Sequence, residues 1–256
     1  MSVEVREHRT VLNGKVVLVT GGAKRVGRAI ALACATAGAD IAIHYRSSKV
    51  EADELVAIIR TKGRAACAFA ADLSDAGECA ALRDAVVAEF GALDVLINNA
   101  ASFEHAAMVG GDDAQWERAW TVSLQTNLIA PARLARLFAD SLRARSGAII
   151  NLIDIAGTLS WPGYLAHGAS KAALAHLTRG LAVALGPEVR VNGIAPGIAI
   201  FPDHMDQAER DALVSRTTLK RPGNADLVAE LVAFVAGHDY ISGAVIPVDG
   251  GWSVPR

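Results

Sequence analysis

The sequence predicts an α/β fold of one domain, with a doubly wound parallel sheet of seven strands and helices on both faces. Seven short runs rich in Val, Ile or Ala alternate along the chain with longer segments that have helical spacing. Most of these runs are apolar on successive residues, as strands buried on both faces of a parallel sheet must be. The length of 256 residues suits one large domain.

Each element follows from this alternation. The predicted strands are Val16–Val19, Ile41–His44, Ala66–Ala70, Val95–Ile97, Ala148–Ile153, Val189–Ile194 and Ala244–Val248. The predicted helices are Arg25–Ala37, Val50–Lys62, Gly77–Phe90, Trp116–Arg145, Leu165–Leu185 and Ala225–Ala236. Ligands of doubly wound folds bind beyond the carboxyl ends of the strands, so we expect residues 198–224, which follow a strand, to form a substrate lid. Within the single domain 1–256, residues 1–12 are predicted to be flexible.

Composition excludes several classes of protein. With 25 Lys and Arg residues against 27 Asp and Glu residues, the net charge of −2 offers no global basic surface for nucleic acid. No apolar run approaches the roughly 18 residues of a membrane span. The three cysteines lack metal-ligand spacing, and no histidine pair indicates a zinc site, so we expect no metal. A cytoplasmic protein without nucleic-acid or membrane partners is expected.

A glycine-rich turn joins the first predicted strand to the first helix. Gly21 and Gly22 permit a tight turn, and Gly27 allows the helix to pack closely on the strand. The helix then presents free N–H groups and its positive dipole end to a pyrophosphate. This position in an alternating chain indicates dinucleotide binding, although glycine in a turn is by itself weak evidence.

The end of the second strand indicates which dinucleotide binds. NAD-dependent enzymes usually place Asp or Glu there to bind the ribose 2′-hydroxyl, but this chain has Tyr45, Arg46 and Ser47. The guanidinium of Arg46 suits a 2′-phosphate, and Lys24 and Arg25 lie close enough in sequence to assist. We therefore expect NADP(H), the alternative being a set of solvated surface cations.

These residues resemble the short-chain dehydrogenase/reductase family, whose first motif is T-G-x-x-x-G-x-G and here reads T-G-G-A-K-R-V-G. Asn98-Asn99-Ala100, Asn127 and the segment 191–197 match further motifs of this family. Arg25 at the middle glycine, and the segment after His44, resemble its pteridine reductase branch. The resemblance implies a Rossmann-like fold and a cofactor site formed by Gly21, Lys24, Arg25, Val26, Tyr45, Arg46, Ser47, Asp72, Leu73, Asn99, Ala100, Lys171, Pro196, Gly197 and Ile198.

The catalytic motif departs from the family pattern. Short-chain reductases carry Y-x-x-x-K on a helix and a Ser about a dozen residues earlier, and the lysine lowers the tyrosine pKa. Here Lys171 is in register, His167 replaces the tyrosine and Asp154 replaces the serine. Three alternatives remain open: His167 donates the proton; Asp154, Tyr164 or water delivers it; or the chain binds NADPH without turnover. Asn127 is expected to support Lys171.

The resemblance also implies a substrate. Phe103, Asp154 and Tyr164 match the pteridine reductase branch, in which a ring stacks on a flat heterocycle. We expect NADPH-dependent reduction of a C=N bond in a dihydropteridine or dihydrofolate. The alternatives are a generic carbonyl or 3-oxoacyl reductase and an NADPH-binding protein without catalysis. A homotetramer is implied, with the helices Trp116–Arg145 and Leu165–Leu185 between subunits.

Overall fold

The computed structural model describes residues 11–203 and 205–254. This part of the chain forms one parallel sheet in the order β3-β2-β1-β4-β5-β6-β7. The strands are β1 (Val16–Val19), β2 (Asp40–Tyr45), β3 (Ala66–Ala70), β4 (Val95–Asn98), β5 (Ala148–Leu152), β6 (Arg190–Pro196) and β7 (Val245–Val248). The predicted seven-stranded fold is confirmed.

Helices cover both faces of the sheet. They are α1 (Arg25–Thr36), α2 (Lys49–Thr61), α3 (Ala76–Phe90), α4 (Asp113–Leu124), α5 (Ala130–Leu137), α6 (Ala139–Ala144), α7 (Leu165–Ala184), α8 (Gln207–Arg216) and α9 (Ala225–Gly237). Strand β1 shows why both faces need cover. Val17 and Val19 pack in one apolar layer with α1, α2 and α9, whereas Val16 and Leu18 pack in the other with α3 and α5.

The predicted single helix Trp116–Arg145 is wrong, because the structure divides this segment into α4, a π-helical turn (Gln125–Ile129), α5 and α6. The cause lies at Pro131. Proline has no N–H to donate to the carbonyl of residue 127, and its ring crowds that carbonyl. The chain widens instead, and the N–H of Ala130 donates to the carbonyl of Gln125, five residues back.

The predicted flexible tail and the predicted lid both include residues that the structure does not describe. Residues 1–10 and His204 lie outside the described residues. Leu12, within the tail expected to be flexible, is buried, and its N–H donates to the carbonyl of Ala37. In the segment 198–224, α8 has no buried residue and is capped by Asp206 and Glu209.

The strand order places the site. The order reverses between β1 and β4, which lie side by side in the sheet. A crevice forms at the carboxyl ends of two strands whose connections leave in opposite directions. The glycine-rich turn after β1 and Asn99 after β4 therefore meet at this crevice.

Candidate active site

The glycine-rich turn is fixed by polar groups from the end of β4. The side-chain amide of Asn99 donates to the carbonyls of Thr20 and Gly21, at 2.9 and 3.1 Å. The hydroxyl of Thr20 accepts from the backbone N–H groups of Asn99 and Ala100. A Cβ at Gly27 would collide with the Gly21 carbonyl oxygen and would lie 2.6 Å from the amide nitrogen of Asn99. Close packing of helix and strand here therefore requires glycine, as the motif predicts.

His44 holds the same turn from the side of β2. Its Nδ1 accepts from the N–H of Gly21 at 3.0 Å, so the hydrogen of the neutral ring lies on Nε2, which donates to the carbonyl of Ala71 at 3.0 Å. Burial lowers the pKa of His44, which favours this neutral form. His44 therefore links the glycine-rich turn after β1 to the end of β3 through its two ring nitrogens.

The start of α1 offers an anion-binding end. The first turn of a helix leaves N–H groups without partners, and Lys24 at the N-cap provides no side-chain cap. Arg25 has a φ of +52°, in the left-handed region that favours glycine. This explains why glycine is usual at this position of the motif. Arg25 keeps its exposed side chain beside the turn at the cost of backbone strain.

A groove of about 470 Å³ runs along the crevice. Eleven of the predicted cofactor residues line it: Gly21, Lys24, Arg25, Val26, Tyr45, Arg46, Ser47, Asp72, Leu73, Asn99 and Ala100. Pro196, Gly197 and Ile198 lie apart from it, at the end of β6, where the N–H of Gly197 donates to the carbonyl of Val248. Lys171 also lies outside the groove lining.

The three cations of the groove are not equivalent. Lys24 pairs with Glu51 of α2 at 2.6 Å, so a carboxylate already balances its charge. Arg46 lies near Asp72, and its charge contributes to the lowered pKa of that carboxyl after the hydrogen bonds from Ser74. Those bonds form a turn, so Asp72 has a structural role as well as a place in the groove.

Lys171 lies in a closed corner beyond the groove. It is buried on α7, and its ammonium donates to the carbonyl of Leu152 at 2.6 Å. Burial lowers its pKa from 10.5 to about 8, although the nearby charge of Asp154 opposes the change. No direct hydrogen bond joins Lys171 to Asn127 among the described contacts, so the expected support by Asn127 stays a prediction.

Asn127 instead joins three neighbours. It lies in the π-helical turn, accepts from the N–H of Ser102 at 2.7 Å and donates to the Ser102 carbonyl at 3.0 Å. It also donates to the hydroxyl of Ser170 at 2.9 Å, and its amide nitrogen lies 3.4 Å from Nδ1 of His167. Asn127 therefore fixes the loop that follows β4 against α7.

His167 and Asp154 face each other in the same corner. Nδ1 of His167 lies 2.9 Å from the carbonyl oxygen of Ser102, and Nε2 lies 3.4 Å from Oδ2 of Asp154. Oδ1 of Asp154 accepts from the N–H of Ala156 at 2.8 Å. Asp154 has a φ of +137°, a conformation that side-chain-bearing residues rarely adopt. The two residues that depart from the family pattern thus contact each other.

Tyr164 does not share the helical face of His167. Helix α7 begins at Leu165, and Tyr164 is its N-cap in a non-helical conformation. Its ring stacks on Phe103, with centroids 4.2 Å apart and an angle of 17°. One face of Phe103 is therefore covered by Tyr164, whereas the sequence led us to expect that ring to be open to a heterocycle. The rings of His167 and Phe103 are nearly perpendicular, with centroids 4.7 Å apart.

Further aromatic side chains extend this cluster toward the predicted lid. Trp161 lies 6.3 Å from Phe103 and 6.0 Å from Trp252, between ring centroids. The guanidinium of Arg216, the last residue of α8, lies over Trp252 at 5.9 Å. Trp161, Trp252 and Ser102 were not among the site residues predicted from the sequence. Nothing in the sequence pattern marks the tryptophans, and Ser102 acts through its backbone carbonyl.

No group of three or more His, Cys, Asp or Glu side chains in residues 11–203 and 205–254 is arranged to hold a metal ion. Among those same residues, no helix has both the length and the apolar character needed to cross a membrane.

Comparisons with known proteins agree with this architecture. The family described as enoyl-(acyl carrier protein) reductase matches residues 21–253. The 3-oxoacyl-(acyl-carrier-protein) reductase FabG of Staphylococcus aureus is 34% identical over 243 residues, which cover 93% of this chain and 97% of that protein. A short chain dehydrogenase from Burkholderia cenocepacia, solved in complex with NADP, has a TM-score of 0.88 and 36% identity and covers 96% of this chain and 100% of its own.

A blue fluorescent protein from a metagenomic library, solved with NADPH, is also similar, with a TM-score of 0.87 and 33% identity over 96% of this chain and 100% of that one. None of these three proteins is described as a pteridine reductase, so the finer resemblance drawn from the sequence is not carried by them. The matches in sequence and in fold extend over nearly the whole chain. The chain belongs to the short-chain dehydrogenase/reductase family of oxidoreductases.

Proposed function

We propose that this chain is an NADPH-dependent reductase that acts on a carbonyl compound. The observation that carries the proposal is the groove, in which Arg25 and Arg46 line a cleft that begins at the N-terminus of α1. No acidic residue follows β2 where an NAD-dependent enzyme would need one. Its similarity to proteins solved with NADP and NADPH supports the same cofactor.

The donor set of the groove fits such a cofactor. The first turn of α1 would hold the pyrophosphate, and Arg46, Tyr45 and Ser47 would hold the 2′-phosphate. Asp72 and Leu73 would face the adenine. Lys171 would act on the nicotinamide ribose, and the backbone from Pro196 to Ile198 on the carboxamide. When bound, the cofactor supplies the hydride.

A carbonyl substrate is favoured over a pteridine by the relatives. The FabG protein of Staphylococcus aureus is named for the reduction of 3-oxoacyl groups, and it matches this chain almost end to end. In the corner that holds Lys171, Asp154 and His167, the carbonyl oxygen of a substrate would meet a charged side chain and a source of a proton. The ring of Phe103 and its neighbours would contact the rest of the substrate.

A dihydropteridine or dihydrofolate remains the second candidate, because aromatic rings concentrate at this corner. The ring centroids of Tyr164 and Trp161 lie 4.2 and 6.3 Å from that of Phe103, which is half exposed. A flat nitrogen-rich ring would find both stacking surfaces and the Asp154 carboxylate there. Binding would require Tyr164 or Phe103 to turn, since each now covers the other.

The proposal also includes the domain organisation of the protein, its oligomeric state and its location in the cell. We expect residues 1–256 to act as one domain, with α8 and its flanking loops as a lid. A homotetramer with α4–α6 and α7 between subunits is supported by exposed apolar groups on α7, including Val183 at 85% exposure. We expect the protein in the cytoplasm, in keeping with its three unpaired cysteines.

Two measurements test the proposal. Calorimetric titration with NADPH and NADH tests the cofactor, and equal affinities would contradict it. Oxidation of NADPH is then followed with 3-oxoacyl thioesters, simple ketones, dihydrobiopterin and dihydrofolate. Turnover of carbonyl compounds alone supports the main proposal, and turnover of the pterins alone supports the second. Tight NADPH binding without any turnover would show a protein that binds the cofactor without catalysis.

A further inference from the structure

The proton source of this corner can be deduced from two side chains that the family pattern does not predict. Nδ1 of His167 lies 2.9 Å from the carbonyl oxygen of Ser102. A carbonyl oxygen only accepts hydrogen bonds, so Nδ1 carries a hydrogen. In the neutral ring, Nε2 is then an acceptor, and it points at Oδ2 of Asp154, 3.4 Å away.

Two acceptors that face each other need a proton between them. A bare carboxylate oxygen and an unprotonated imidazole nitrogen at this distance would repel through their lone pairs. One shared proton turns this contact into a charge-assisted hydrogen bond. The other oxygen of Asp154 is already satisfied by the N–H of Ala156, which leaves Oδ2 for His167. The left-handed φ of Asp154 shows that the backbone is held in place against its preference.

Exposure assigns different roles to the two residues. The side chain of His167 is 3% exposed and that of Asp154 is 28% exposed. A substrate can therefore touch Asp154 but not the imidazole, which the ring of Phe103 also covers. The neighbouring groups of the pair are Asn127 and Ser102, both uncharged, and the cation of Lys171 on the next turn of α7.

We propose that Asp154 and His167 hold one proton between Oδ2 and Nε2, and that Asp154 delivers it to the substrate oxygen. This inference rests on the proposed function. The carbonyl carbon gains a hydride from the reduced nicotinamide, the C=O π pair moves to oxygen, and that oxygen bonds to the proton. The pair is left as an Asp154 carboxylate and a neutral His167, and it regains one proton from water. Asp154 is the catalytic residue, and His167 is a positioning residue that acts through it.

A nitrogen-15 NMR spectrum of the imidazoles, recorded without cofactor, tests the shared proton directly. The His167 signals are those missing from the spectrum of His167→Gln. We expect the Nε2 signal at neutral pH to be displaced from the position of an unprotonated nitrogen toward that of a protonated one. In Asp154→Asn it should move to the unprotonated limit, because the amide donates to Nε2. His44, held by Gly21 and Ala71, is the internal control and should not move. An Nε2 signal at the unprotonated limit in the parent protein would overturn the proposal.

Kinetics provide the second test. Asp154→Asn should lower kcat by about 100- to 10,000-fold, as expected for the loss of a general acid, with the Kd of NADPH unchanged. His167→Gln should lower kcat by about tenfold and leave KM unchanged. It should also flatten the dependence of kcat on pH, which the loss of a purely structural residue would not do. Asp154→Gly removes the carboxylate but suits the left-handed φ, so its loss of activity cannot be ascribed to backbone strain.

The outcomes separate the two proposals. If the parent protein does not bind NADPH, the proposed function fails while the NMR result still decides on the shared proton. If the parent protein turns over and Asp154→Asn loses less than about threefold in kcat, the proton pair is wrong and the proposed function stands. A large loss in His167→Gln with a small loss in Asp154→Asn would reverse the two roles.

Discussion

The groove and the corner formed by Lys171, His167 and Asp154 lie at the same edge of the sheet but are built in different ways. In the groove, backbone groups and Asn99 fix the turn, and the cations Arg25 and Arg46 extend from it toward solvent. In the corner, the polar side chains bind one another, and Lys171 is tied to the carbonyl of Leu152. The groove is thus ready for a ligand, whereas the corner must exchange internal contacts when it works.

The largest effect is expected from a substitution that disrupts the groove. In Gly27→Ala, the new methyl group would meet the carbonyl of Gly21 and the amide of Asn99, both held by other bonds. We expect NADPH binding to weaken more than about 100-fold and the free energy of unfolding to fall by up to about 3 kcal/mol. Calorimetry and urea unfolding measure the two losses.

Gly180→Ala is the matched control, because Gly180 lies inside α7 with nothing within 4 Å of the added methyl group. That change should leave NADPH binding unaltered and raise stability by up to about 1 kcal/mol. Normal NADPH binding by Gly27→Ala would show that the turn is not the cofactor cradle.

The second prediction concerns the closed nature of the corner. The folded protein releases the Lys171 proton at a pKa of about 8, whereas the unfolded chain keeps it up to its ordinary 10.5. Between these pKa values the unfolded state binds more protons, so the contribution of Lys171 to the free energy of unfolding rises with pH across that window. The free energy of unfolding of the parent protein, relative to that of Lys171→Met, should therefore rise by up to about 3 kcal/mol between pH 8 and 10.5.

Urea unfolding of both proteins at several pH values measures this difference, in which other titrating groups cancel. Lys62→Met is the control, because Lys62 is an exposed lysine and its removal should give no such slope. A constant difference between the parent protein and Lys171→Met would mean that Lys171 is as well solvated as an exposed lysine.

The third prediction sharpens the account of the groove cations. Arg46→Ala should weaken NADPH binding by about 1.5–3 kcal/mol, or roughly 10- to 100-fold, and leave NADH binding nearly unchanged. Lys24→Ala should cost less than about 1 kcal/mol, because Glu51 already pairs with that ammonium. Titration of both cofactors into each variant decides, and equal losses for Arg46→Ala and Lys24→Ala would refute the distinction.

The smallest effect concerns Arg25. Arg25→Gly removes a side chain from a left-handed position, so we expect stability to rise by about 0.5–1 kcal/mol and NADPH affinity to fall by a few-fold. Lys220 has the same φ of +52° but does not line the groove, so Lys220→Gly should change stability and leave NADPH affinity unaltered. An unchanged NADPH affinity in Arg25→Gly would mean that the guanidinium does not contact the cofactor.

Sequence reasoning predicted the strands and the glycine turn because both are local signals. Buried parallel strands need continuous apolar runs, and Gly27 is dictated by a neighbour only a few residues away. The interruption at Pro131 was also a local signal, but the helical periodicity on either side of it concealed the break.

The corner was harder to predict because its contacts join distant parts of the chain. Asp154 and His167 were both recognised as departures from the family, but their 3.4 Å contact depends on how the loop after β5 meets α7. Ser102 contributes a backbone carbonyl, which every residue has, so no side-chain pattern reveals it. The start of α7 at Leu165 was predicted, but the stacking of Tyr164 on Phe103 joins residues 61 apart, which no local pattern reveals.

The tryptophans of this chain are arranged in two pairs. Trp116 and Trp120 lie 5.6 Å apart within α4, and Trp161 and Trp252 lie 6.0 Å apart at the mouth of the corner, with Arg216 of α8 above the latter ring. Indoles this close couple their electronic transitions, and a fixed angle between them gives a signed band in near-ultraviolet circular dichroism. Movement of α8, which we propose as part of a lid, would alter the surroundings of the second pair and leave the pair in α4 as a reference. Near-ultraviolet circular dichroism would then report that movement without a label.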